Sequence, residues 1–158
     1  IIGVDLLPSR LEHSLKLGAT STVCNAEVDP VEAVAELTGG RMVDVVIEAV
    51  GHADQAINLC ISLVRHGGRM LYFGVPPETI DGVRWRDLFM KNLTVHTSVN
   101  PDFDRDFPLA MRWIGEGRVD MSGLVTHRFP ISEIQQAFDL FNSRGDGCLK
   151  VFLDYPAP

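Results

Sequence analysis

Asp5 closes an apolar run, Ile1-Ile2-Gly3-Val4-Asp5, and Leu6 to Gly18 after it has the spacing of a helix. An acid at the tip of a buried strand can accept hydrogen bonds from both hydroxyls of a ribose. Its charge repels a phosphate on the 2′ oxygen of that sugar. The same acid can simply cap the helix that follows. Asp5 alone leaves both readings open. The glycine-rich turn expected about 20 residues before such a ribose acid has no counterpart among these residues. Arg10 is equally divided: it pairs with Asp5 and the ribose, or it is a surface residue on the helix.

Two later segments put glycine at the carboxyl end of an apolar strand: Ala49-Val50-Gly51 and Phe73-Gly74-Val75-Pro76-Pro77. Ligands of open α/β sheets bind outside those ends. Glycine lets a ligand approach the backbone closely, and small apolar neighbours can flank a flat ring. Ordinary turn formation explains either segment taken singly. Among the histidines, no two share an i, i+4 spacing, and no Cys/His pair has zinc spacing. His13 and His66 read as solvent-facing helix positions, and His96 and His127 as structural polar residues. His52 either touches a ligand or opens a helix. No nucleophile–base pair or GxSxG turn occurs, so no catalytic residue is assigned. Lys150 follows a glycine loop in the last strand, where a lone basic residue is ordinarily on the surface.

The elements that must position these residues alternate along the chain. Leu7, Leu11 and Leu15 predict a helix over 8–17, ended by Gly18. Residues 20–24 read as a short strand. Asp29-Pro30-Val31-Glu32 starts a helix with a capping acid and a first-turn proline. It runs to about Thr38, and Gly39-Gly40 end it. Val43 to Val50 is almost continuously apolar, as expected of a strand covered on both faces. Ala53, Ala56, Ile57, Cys60, Leu63 and Val64 then follow helical spacing up to Gly67-Gly68. Arg69 to Val75 is a strand, 84–91 a short helix, and Leu93 to Val99 a β-rich segment. Beyond it the spacing predicts a helix over 106–116 and an extended stretch over 124–128. A capping box at Ser132–Gln135 opens a helix with Ile134, Ala137, Phe138 and Phe141 on one face. A closing strand covers Leu149–Leu153. Five strands with intervening helices predict a parallel α/β sheet with helices on both faces.

Composition narrows the partners. The 158 residues carry a formal charge of −7, which disfavours nucleic acid and anionic membranes. No apolar run reaches the length of a membrane span. The three cysteines are far apart and form no CxxC, which excludes a disulfide framework or zinc knot and points to the reducing cytoplasm. Cys24 and Cys60 are expected in the core.

Four segments in order resemble the zinc-dependent alcohol dehydrogenase branch of the medium-chain dehydrogenases. They are Gly3 to Thr20, Asp44 to Gly51, Gly67 to Pro77, and Leu124 to Pro130 followed by Ile134 to Phe141. The resemblance implies an α/β, Rossmann-type doubly wound parallel sheet that lacks its first strand and Gly-rich loop. Residues 1–124 would be a partial NAD-binding domain, and residues 125–158 a segment returning to the catalytic domain. It further implies that Asp5 holds the ribose, Leu6 meets adenine, and Arg10 lies near the ribose. Val50 and Gly51 would flank the adenosine half, and Phe73, Gly74 and Val75 the nicotinamide. His96 to Ser98 would meet the carboxamide, and Lys150 the diphosphate. NAD is favoured over NADP. Zinc ligands and the proton relay are expected only in an N-terminal catalytic domain outside these residues, so no metal site is expected here. The implied activity is oxidation of a small alcohol, with a homo-oligomer formed through strand 93–99. Two other readings remain at this point: a methyltransferase with a ribose-binding acid, and a non-enzymatic interaction module.

The phosphate loop supplies the main diphosphate contacts of such a site. This 158-residue chain is therefore expected to bind NAD weakly or not at all. Calorimetry checks this, and tight binding would overturn it.

Overall fold

The computed structural model describes residues 1–52 and 55–156, so Ala53 of the predicted helix lies outside the described residues. β1 (Ile2–Asp5) leads into α1 (Pro8–Lys16), β2 (Ser21–Cys24) and α2 (Pro30–Leu37). β3 (Val43–Glu48), α3 (Ala56–Leu63), β4 (Val64–Tyr72), α4 (Trp85–Met90) and β5 (Thr94–Thr97) follow. The chain ends with α5 (Phe103–Gly115), β6 (Val125–Pro130), α6 (Ile134–Ser143) and β7 (Lys150–Asp154). Among the described residues, all strand pairs are parallel.

The strands form three separate sheets: β1-β2, β3-β4-β5 and β6-β7. Among the described residues β1 pairs only with β2, and β3 only with β4, so each presents an edge without a strand partner there. A gap therefore separates the strand of Asp5 from the strand of Glu48. Packing rather than strand pairing bridges it. Val23 of β2, Val34 of α2 and Leu63 of α3 are buried together, with Ile2, Val4, Val43 and Leu59 against them. A second core joins Cys60, Ile61, Met70 and Tyr72, backed by Val46, Leu88 and Leu93. Complete burial of side chains such as Ile61 and Met70 contributes about 1.5–3 kcal/mol each.

Several expectations change in detail. β3 is not covered on both faces: Val46 and Glu48 face α3, whereas Val45 and Ile47 are exposed because no element covers the opposite face. α3 stops at Leu63 instead of reaching Gly67-Gly68, and Val64 begins β4. Lys91 explains the early stop. Its ammonium donates to the carbonyls of Ile61 (2.7 Å), Ser62 (3.2 Å) and Val64 (2.9 Å), satisfying the end of the helix. Burial, with Arg84 nearby, holds that ammonium below its ordinary pKa. His66 consequently lies in β4 rather than on a helix.

Asp29 caps α2 as predicted, accepting from the amides of Val31 and Glu32. α5 starts at Phe103, ahead of the predicted 106, because the Asp102 carboxylate accepts from the amides of Asp104 and Arg105. The capping box at Ser132 does not form. Residues 131–133 make a 3-10 turn, and α6 starts at Ile134 without a side-chain cap. Cys60 is buried as expected, whereas Cys24 is only partly buried and its thiol lies 3.6 Å from the Leu6 carbonyl.

Lys91→Met removes three hydrogen bonds at one helix end. It is expected to cost about 1–3 kcal/mol, read as a lower urea midpoint with an unchanged slope.

Candidate cofactor site

The carboxyl ends of β3 and β4 are joined by one side chain. Glu48, the last residue of β3, is 2% exposed. Its Oε1 accepts the amide hydrogens of Val50 (2.8 Å) and Gly51 (3.0 Å), and its Oε2 that of Gly74 (3.1 Å). The Glu48 carbonyl accepts from the Phe73 and Gly74 amides, and the His52 amide donates to the Val75 carbonyl at 2.8 Å. Two turns thus touch backbone to backbone. A Cβ on Gly74 would sit 2.3 Å from the Gly51 nitrogen, and one on Gly51 would sit 2.9 Å from the Val75 nitrogen. Only glycine fits either place, and Gly51 also needs a positive φ of 65°. Around this junction Val50, Phe73 and Val75 are exposed. Ser98 joins the same end of the sheet, its amide donating to the Tyr72 carbonyl, and His96 lies exposed on β5 opposite Leu71.

Asp5 sits at the end of β1, in the other sheet. Its Oδ1 accepts the Leu7 amide at 2.9 Å, and its Oδ2 lies 3.8 Å from Arg10. Asp5 thus receives the amide just before α1, as the capping reading expects, and pairs with Arg10. Leu6 is exposed beside it. Arg10, His13 and Ser14 on α1 and Leu17 just after it line an open groove of about 440 Å³ with Ile1 and Lys150. Arg10 and Lys150, far apart in sequence, share this groove, and the Arg10 Nε is buried there with no hydrogen-bond partner. Thr126 helps set the position of Lys150. Its hydroxyl donates to the Lys150 carbonyl (3.2 Å) and accepts the Leu149 amide (3.0 Å). His127 bridges Thr126 and Asp146. His13 is only partly exposed and lines the groove, which its expected solvent-facing place did not include.

The predicted residues thus fall into two groups on different sheets: Val50, Gly51, Phe73, Gly74, Val75 and Ser98 in one, Asp5, Arg10 and Lys150 in the other. Glu48 carries no role in the sequence reading. The signal was available: an ionisable residue ends an apolar strand three positions before a glycine. Burial pushes the Cys60 thiol up to about 12, with the Glu48 charge adding to the effect. Among the described residues, no three His, Cys, Asp or Glu side chains lie close enough to share a metal ion, so no zinc chemistry is assigned to them. No described helix is long and apolar enough to cross a membrane.

Parallel strands with flanking helices and glycine-turned strand ends define a Rossmann-type α/β protein. The chain belongs to the zinc-binding dehydrogenase family, whose model matches residues 1–116. It is 31% identical to L-threonine 3-dehydrogenase of Bacillus velezensis, over 97% of this chain and 43% of that protein. It is 32% identical to erythritol/L-threitol dehydrogenase of Mycolicibacterium smegmatis, over 97% and 41%. A solved E. coli CFT073 structure, described as an alcohol dehydrogenase complexed with NADH, superposes with a TM-score of 0.83 at 25% identity. That match covers 96% of this chain and 43% of the other. The chain therefore spans about two fifths of the length of these relatives. Family membership sets aside the methyltransferase reading.

Gly74→Ala is expected to lower stability by more than about 2 kcal/mol, measured by denaturant unfolding. In the native chain Cys60 is expected to resist a thiol reagent at mildly alkaline pH, while Cys24 reacts. Peptide mapping of the labelled protein reads both.

Proposed function

We propose that these residues orient the nicotinamide cofactor of an NAD-dependent, zinc-type alcohol or polyol dehydrogenase. The observation that carries the reading is the glycine-only junction of the 49–51 and 73–75 turns at the carboxyl ends of adjacent parallel strands. Its bare backbone and exposed Val50, Phe73 and Val75 suit the close approach of flat rings. Asp5 receives the ribose hydroxyls and Leu6 meets adenine. Arg10, with its unpartnered Nε, and Lys150 present positive charge toward the phosphates. His96 and Ser98 lie on the neighbouring strand, where the carboxamide would be met.

When bound, the nicotinamide supplies the hydride acceptor for alcohol oxidation. The role of this chain is orientation and cofactor choice. The Asp5 carboxylate favours NAD, because a 2′-phosphate beside it would be repelled. Residues 125–158 are assigned to the catalytic domain; within them β6 and β7 pair in a sheet of their own, which α6 contacts. β5 has a free edge with all four residues exposed, which supports pairing with a second copy. Three free cysteines support a reducing, cytoplasmic setting.

Millimolar NADH added to the isotope-labelled chain is expected to shift the amides of Asp5, Leu6, Gly51 and Gly74 in NMR spectra. NADPH should shift the Asp5 region less, and Asp5→Ala should abolish that difference. NADH shifts confined to residues away from Asp5 and the Gly51–Gly74 junction would overturn the reading, and equal responses to the two cofactors would overturn the role of Asp5.

A further inference from the structure

We propose that Glu48 is a positioning residue of this site: its buried carboxylate locks the 49–51 and 73–75 turns into one surface and directs their amides away from the ligand. The inference rests on the cofactor reading above and extends it to a side chain that would not touch the cofactor.

A carboxylate is costly to bury unless its oxygens are hydrogen-bonded or paired with a cation. Glu48 is 2% exposed, and no lysine or arginine among the described residues forms an ion pair with it. Its compensation comes from three backbone donors on two turns, Val50 and Gly51 on one and Gly74 on the other. Backbone bonds run past the last register pair, Glu48–Tyr72, from the Phe73 and Gly74 amides to the Glu48 carbonyl, but none takes up the Val50 or Gly51 amide. The side chain brings those two amides into the join.

The direction of those bonds decides what the turns offer outward. Successive amides that point at solvent make an anion-binding concavity. Here the three amides point inward at Glu48, and the surface left is apolar: Val50, Phe73 and Val75 are all more than half exposed. The junction is therefore a platform for a flat, weakly polar ring and not a phosphate site. The positive groups, Arg10 and Lys150, lie elsewhere, around the groove beside α1.

Glu48→Gln separates this role from general stability. The glutamine carbonyl can still serve Val50 and Gly51, but its NH2 then faces the Gly74 amide, donor against donor. Amide hydrogen exchange and NADH titrations of the labelled chain read the result. The Gly74 amide keeps its bond to the main-chain carbonyl of position 48 but loses the side-chain acceptor, so its exchange protection should fall roughly tenfold, while Val50, Gly51 and the β1–β2 amides keep theirs. Shifts induced by NADH at residues 73–75 should weaken, and those around Asp5 should persist. Unchanged Gly74 protection, or unchanged NADH shifts at 73–75, would overturn the proposal. If the wild-type NADH shifts fall away from both Asp5 and residues 73–75, the cofactor reading fails and the positioning role falls with it. Should Glu48→Gln not fold, wild type decides: freely exchanging Gly51 and Gly74 amides would refute the clamp.

Discussion

The carboxylate of Glu48 is the contact on which the candidate site depends. It lies at the last position of β3, almost fully out of water, and gathers amides from two turns that are 24 or so positions apart. The two glycines make that possible by leaving no side chain between the turns. Each feature needs the others. A Cβ at Gly74 would push the turns apart, and separated turns would leave a buried charge without donors. The result is a rigid, backbone-lined junction with apolar side chains around it.

The second constraint is the interruption between β1 and β3. Strands that would normally be held by a continuous ladder are here linked through Val23, Val34 and Leu63, that is, through side chains of β2 and two helices. Hydrophobic contact is not directional, so it can hold the two sheets near one another without pairing their edges. Asp5 and the Gly51–Gly74 junction consequently stand on separate sheets. Arg10 and Lys150 come together by another route, across a groove between α1 and the start of β7.

Much of this was legible in the residues. The four-residue leucine spacing marks α1, the Asp29-Pro30 pair marks the start of α2, and the run from Arg69 marks only the last part of β4. These features are local, with their causes in neighbouring residues. The errors arose where a distant group intervened. α3 ends early because Lys91, far along the chain, takes up its last carbonyls. The Ser132 box has the right residue types, but a 3-10 turn occupies 131–133 and shifts the helix start to Ile134. His66 was misplaced for the same reason as the end of α3.

By itself the sequence determined the alternation of strands and helices, the strand-end placement of Asp5, Gly51 and Gly74, and the resemblance to a dehydrogenase family. Periodicity and turn chemistry act over a few residues, and that range suffices for these features. Only the tertiary structure decided which strand ends meet, that Arg10 and Lys150 share a groove, and that Glu48 ties two turns together. Those facts depend on burial and on hydrogen bonds between residues remote in the chain. A glutamate at a strand end is an ordinary polar residue until folding removes its water and supplies three amides in exchange.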